Sequence, residues 1–163
     1  MKMTLSYQYL NVNLNILDTL GFPKAQALDI LSLKAEDLKA SQKRLGVDAF
    51  QACLRAAAKY TSNENIGLLL GHKFRVGSFG ATGSLYSHCE NLEEVMLMNN
   101  LYQKISIDAG QVEYRKRDDG SHHMCFRPYY SDVVAYQLLT DVLMASFMTA
   151  YSCLLYTSPS PRD

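Results

Sequence analysis

The sequence predicts an α+β fold: a mostly helical N-terminal half, then an antiparallel β-hairpin or sheet, then a C-terminal helix. Three observations carry this expectation. Apolar residues recur near helical spacing from Leu10 to Ile105; the period changes to alternation in "QVEYRKRDDGSHHMCFRP"; and an apolar, helix-like run follows from Ser131. With 163 residues, 48% of them apolar, the chain is about one domain long and can bury a real core.

Leu10, Leu14, Leu17 and Leu20 lie near helical spacing in a first helix, and Gly21 before Phe22-Pro23 stops it. A short helix over 24–31 has Pro23 at its first turn. Over 47–60, Phe50, Cys53, Leu54, Ala57 and Ala58 form one helical face, and Asp48 suits the positive end of the helix dipole. "NENIGLLLGHKF" gives a further short helix, with Ile66, Leu69 and Leu70 apolar and Gly71 closing it. Gly77, Gly80 and Gly83 fall three apart, which sets small residues along one edge where another backbone can approach. They are no phosphate loop, because the Walker lysine and the strand–GxGxxG–helix setting are missing. Asn91 with Glu94 makes an N-cap pair, and the helix after it is expected to turn Val95, Met98, Leu101, Tyr102 and Ile105 inward. Val112 and Tyr114 alternate with charged residues, Asp119-Gly120 turns the chain, and His122, Met124 and Phe126 alternate on the way out, which predicts a hairpin.

Sixteen basic residues balance sixteen acidic ones, so there is no electrostatic footprint for nucleic acid. Arg115-Lys116-Arg117 runs straight into Asp118-Asp119 and reads as a solvated strand end. The N-terminus lacks the pattern of a secretory signal. The longest candidate membrane span, 133–155, is broken by Gln137, Thr140, Asp141 and Ser146. Cys53, Cys89, Cys125 and Cys153 are widely and irregularly spaced, as expected of reduced thiols in a cytoplasmic protein. Adjacent His122 and His123 point to opposite faces of a strand and cannot share a metal. His72 beside a helix end, His88-Cys89, Glu93-Glu94 and Asp118-Asp119 all have structural readings. No enzyme, metal site or cofactor is expected. The many tyrosines and methionines (Tyr86, Met96, Met98, Tyr102, Met124, Tyr129 and Tyr130 among them) suit an apolar ligand pocket or an ordinary core, and the residues alone leave both open.

The run "IGLLLGHKFRVGSFGATGSLYSHCENLEEVMLMNNLYQKI" resembles the N-terminal effector-binding, arabinose-binding-type domain of AraC-type transcription regulators. Gly67, Leu68, Leu70 and Gly71 match the family's "GLxLG" helix, and Gly77, Gly80 and Gly83 match its "GxxGxxG" element. Asn91-Leu92-Glu93-Glu94 stands where the family has Thr-Leu and an acidic residue, so the cap is kept with Asn. Leu20-Gly21-Phe22 also fits, whereas Gly46-Val47-Asp48 lacks the family's proline. The resemblance covers residues 5–152. It implies a bacterial regulator of two parts, in which this domain senses an unidentified small-molecule effector or mediates association, with a homodimer among its partners. DNA would be read only by a C-terminal helix-turn-helix pair that this chain does not contain. The alternative is a dimerisation scaffold with no small-molecule ligand. A pocket with inward tyrosine hydroxyls would favour sensing, and an exposed apolar patch would favour the scaffold. The residues expected to line a pocket are Phe79, Tyr86, Tyr102, Met124 and Phe126. The family is distantly similar to haem-type sensor domains, but no Tyr-x-Ser-x-Arg motif is present and no haem is expected.

The terminal "CLLYTSPSPRD" can be reverse-translated, residue for residue, into the transposase mosaic end and flanking adapter of shotgun sequencing libraries. Residues 153–163 are therefore expected to be translated adapter, leaving 1–152 as a C-terminally incomplete domain. Cys153, Leu154, Leu155 and Tyr156 are apolar enough to prolong the preceding helix by accident.

Overall fold

The computed structural model describes residues 3–40 and 42–157. Among these the chain has the expected α+β fold. Its helices are α1 (Tyr7–Thr19), α2 (Lys24–Leu31), α3 (Val47–Tyr60), α4 (Ile66–His72), α5 (Ala81–Tyr86), α6 (Leu92–Ser106) and α7 (Gln137–Thr157). Strands β1 (Thr4–Ser6), β2 (Arg44–Gly46) and β3 (Ile107–Asp108) form one antiparallel sheet in the order β2-β1-β3. Strands β4 (Gly110–Lys116) and β5 (His122–Pro128) form the predicted hairpin, in register from Gly110 opposite Pro128 to Lys116 opposite His122.

Local chemistry sets the first elements. The Ser6 hydroxyl caps α1 by accepting from the Tyr9 N–H at 3.1 Å. At the other end the Gly21 N–H donates to the Asp18 carbonyl and the Phe22 N–H to Leu17, a Schellman closure with Gly21 at φ +96°. This buries Leu10, Leu14, Leu17 and Phe22 completely. Helix α3 turns Phe50, Cys53, Leu54 and Ala57 into the same core.

The three-stranded sheet has no counterpart in the sequence reading. Leu5, fully buried, pairs with Leu45 on one side and Ile107 on the other. Arg44 fastens this sheet to α6: its guanidinium donates to the carbonyls of Lys104 and Ile105, satisfying the helix's last turn, and to the Thr4 hydroxyl.

Helices α4 and α7 pack with almost no space between their backbones. A Cβ on Gly67 would stand 2.5 Å from the Leu138 carbonyl oxygen, and one on Gly71 would stand 2.7 Å from that of Val142. Gly71 thus lies inside α4 rather than closing it, because its role is interhelical contact. The Gly77–Gly83 triplet divides its roles. A Cβ at Gly83 would stand 2.0 Å from the Val76 carbonyl oxygen, Gly80 has φ +61°, and Gly77 has nothing within 4 Å.

Two further expectations need correction. Helix α7 starts at Gln137, not Ser131. The Asp132 carboxylate instead holds a turn through the Ala135 N–H (2.9 Å), and the Tyr130 and Tyr136 rings stack with centroids 4.4 Å apart. Helix α6 is rotated from its expected orientation. It buries Val95 as expected, but with Met96, Asn99, Gln103 and Ser106, while Leu101, Tyr102 and Ile105 are exposed and Met98 is half-buried. Of the terminal stretch read as adapter, 153–157 continue α7 and 158–163 lie outside the described residues. Among the described residues no helix is long and apolar enough to cross a membrane.

Gln51 joins α3 to the start of α7. Buried to 2% exposure, it donates to the Ala135 carbonyl at 2.8 Å and accepts from the Leu139 N–H at 3.2 Å. Gln51→Ala strands that N–H in the core. An expected loss of about 2 kcal/mol follows from the cost of an unpaired buried donor, readable as a lower urea midpoint with unchanged slope.

Candidate functional site

Four helices and a turn converge on one cleft. It is lined by Tyr9 of α1, Phe79 of the 3-10 turn Val76–Phe79, Thr82 and Tyr86 of α5, Asn99, Gln103 and Ser106 of α6, Ile107 of β3 and Phe147 of α7. The polar positions on α6 fall at i, i+4 and i+7, which places them on one stripe. That stripe faces the cleft because Arg44 and the short sheet hold the end of α6 in this rotation.

The walls are aromatic. Phe79 lies at the centre of the cluster, with its ring 5.4 Å from Phe74, 6.0 Å from Tyr86 and 6.1 Å from Phe147, the last in a stacked arrangement. Set into these walls is a group of buried polar atoms. The Tyr86 hydroxyl donates to Asn99 Oδ1 at 2.7 Å, and the Thr82 hydroxyl donates to the Phe79 carbonyl at 2.8 Å. Among the described residues Asn99 Nδ2 has no hydrogen-bond partner, and the Tyr9 hydroxyl, with the Asn13 and Ser146 side chains beside it, makes no bond of good geometry. Farther from the cleft, Asn13 Oδ1 and the Tyr151 hydroxyl are also unpartnered. An orphaned buried polar atom costs about 1–3 kcal/mol, so several in one region call for a compensating role.

The space in the cleft open to a water-sized molecule is only about 10 Å³, room for a single water. A second pocket of about 50 Å³, lined by Ser6, Gln8, Ser78, Ala81 and Ile105, shares Tyr9, Phe79 and Ser106 with the first. The two share a wall, and the second is the more polar. Any larger guest would have to part Phe79 from its neighbours.

Every side chain lining the first cleft is uncharged. Burial raises the Tyr9, Tyr86 and Tyr151 phenols above the ordinary value of 10.0, Tyr86 to about 12, which keeps them protonated. Burial also pushes the Cys53 thiol up to about 12 from 9.0. Each of these groups has a folded pKa above its unfolded one, so its contribution is whole below the unfolded value and lost as pH rises through the folded value. The urea midpoint is therefore expected to hold steady up to pH 9, then fall progressively towards pH 12. Phenolate absorbance from the buried tyrosines should appear only with unfolding.

Of the residues expected to line a pocket, Phe79 and Tyr86 meet in this cleft. Tyr102 lies on the opposite, exposed face of α6, while Met124 and Phe126 are half-buried on β5, with the Phe126 ring against Gly110. Tyr9, Thr82, Asn99, Gln103, Ser106, Ile107 and Phe147 were not foreseen. The usable signal was the polar stripe Asn99, Gln103 and Ser106, which a search for apolar periodicity assigns to solvent. His122 and His123 have separate partners, the Tyr114 and Ser121 hydroxyls.

Residues 21–163 match the family described as the arabinose-binding domain of AraC transcription regulators, N-terminal. No curated protein matches the chain.

Proposed function

Given that the chain belongs to the family of N-terminal arabinose-binding domains of AraC transcription regulators, we propose that its effector sits in the cleft between α1, α5, α6 and α7. The observation that supports this reading is the pairing of aromatic walls with a buried amide donor that lacks a partner, Asn99 Nδ2. Such a site suits a small uncharged molecule that stacks on Phe79 and offers an acceptor to Asn99. Because the cleft is nearly closed, the ligand would select a conformation in which Phe79 has moved, and its differential affinity would shift the population towards that state. The full regulator would read DNA through a helix-turn-helix pair outside this domain. This chain alone would then show no sequence-specific DNA binding in a mobility-shift assay.

The test is a thermal-shift screen of the chain against uncharged polar small molecules. A ligand at about 100 times its Kd should add about 2.7 kcal/mol of stability. That gain should disappear in Phe79→Trp, which fills the cleft. A stabilising ligand whose effect survives Phe79→Trp would place the effector elsewhere. Association is the second reading, favoured by the apolar face that α6 leaves exposed.

A further inference from the structure

The cleft holds more hydrogen-bonding capacity than its own residues use. Gln103 is only 6% exposed and lines the cleft, yet its carboxamide makes no hydrogen bond among the described residues. One turn earlier on α6, Asn99 spends Oδ1 on the Tyr86 hydroxyl at 2.7 Å and keeps Nδ2 without a partner. Leaving such groups buried and unpaired is costly, so a guest that pairs them recovers what the fold forgoes.

These two amides define the edge of the guest. A carboxamide sets N–H donors beside a C=O acceptor in one plane. One molecule satisfies both halves of Gln103 when it places its own C=O beside an N–H, the edge of a lactam, imide or ureide. Glutamine reads the edge of a nucleobase in the same bidentate way. A lone carbonyl answers only one half. Asn99 Nδ2, one helical turn away, then asks for a second acceptor on the same molecule.

The walls define its body. The Phe79 and Phe147 rings lie within 9° of parallel, a pair of flat surfaces that a flat ring stacks on with most contact. A vicinal diol offers a donor and an acceptor too, but on a puckered ring that fits such walls less well. No charged side chain lines the cleft, so an ion would lose its hydration there without a counter-charge.

We propose that the cleft takes a neutral, planar heterocycle of the pyrimidinedione kind. Gln103 reads its adjacent N–H and C=O, and Asn99 Nδ2 donates to its second carbonyl. This specifies the ligand class of the cleft and rests on the assignment of the cleft as the effector site.

Titration calorimetry of the 163-residue chain with uracil, 1,3-dimethyluracil and arabinose tests it. Uracil carries the whole edge, 1,3-dimethyluracil keeps the ring and both carbonyls without an N–H, and arabinose offers hydroxyls on a saturated ring. Uracil is expected to bind at least about 10-fold more tightly than either, the loss of one net hydrogen bond. Gln103→Met keeps the length of the side chain, removes the amide and should erase the preference over 1,3-dimethyluracil. Phe79→Trp should abolish uracil binding. Equal affinity for uracil and 1,3-dimethyluracil in the parent chain overturns the proposal without recourse to any variant, as does a preference that survives Gln103→Met. Arabinose binding more tightly than uracil, and lost in Phe79→Trp, overturns the heterocycle while the cleft stands. If none of the three binds in a manner that depends on Phe79, the heterocycle falls, and the thermal-shift screen decides the cleft separately.

Discussion

Gly71→Val is expected to cost the domain about 3 kcal/mol or more, one of the largest effects of any single substitution outside the cleft. The reason is geometric. A Cβ at this position would stand 2.5 Å from the Ala145 Cβ, 2.7 Å from the Val142 carbonyl oxygen and 2.9 Å from the Ser146 nitrogen. Two of these three atoms belong to the backbone in the middle of α7 and cannot rotate away. The strain has to be relieved by moving α4 outward, which draws Ile66 and Leu70, both essentially fully buried, out of the core. Overpacking of this kind typically costs about 1–3 kcal/mol, and loss of the adjoining apolar contacts adds to it. Against a typical total of about 5–15 kcal/mol, the result is a large drop in urea midpoint or loss of the folded state. Gly77→Ala is the control. It also falls in the glycine pattern, yet has open space and no positive φ, so it should be neutral or stabilising by about 0.4–1 kcal/mol through the unfolded chain. Equal losses at Gly71 and Gly77 would show that the α4–α7 contact is not the cause.

The contrast between those glycines also shows what the sequence made legible. Helices α1, α2 and α3 follow from neighbours in the chain: Gly21 after Leu20, Pro23 before Lys24, and the single apolar face of 47–60. The hairpin is equally local, with Gly120 at φ +81° turning β4 into β5. Glycine spacing revealed close packing but not its place, since Gly67 and Gly71 meet a helix about 70 residues away, a distance no local pattern encodes. Strands β1, β2 and β3 are too short to display alternation, and Leu5 pairs with Leu45 and Ile107, partners distant in the sequence. In the site, Phe79 and Tyr86 were readable as aromatic residues beside the glycine element. The rotation of α6 was not. Its more apolar side faces out and its polar side faces in, the reverse of the rule by which amphipathic helices are oriented.

That inversion is the basis of the second large effect. Tyr86→Phe combined with Asn99→Leu is expected to leave the domain as stable as the parent, or more stable by about 1–2 kcal/mol, while abolishing stabilisation by an effector. Each single change should behave differently. Tyr86→Phe removes the donor to Asn99 Oδ1 and leaves both polar atoms of that amide buried without partners. Asn99→Leu takes from the Tyr86 hydroxyl, in a side chain only 2% exposed, its acceptor at 2.7 Å. Either loss should cost about 1–3 kcal/mol. The double variant removes the hydroxyl and the amide together, replaces them with apolar groups of similar size, and eliminates the desolvation cost of the orphaned Asn99 Nδ2. A double-mutant cycle on urea midpoints therefore should show strong positive coupling between the two positions. The stability of the double variant follows whether or not the pair serves an effector, so the ligand decides: if the polar pair were only a structural bond, a ligand identified by thermal shift would still raise the double variant's midpoint. If the pair is kept for an effector, stability and response must separate: the fold gains or holds, and the ligand's effect vanishes.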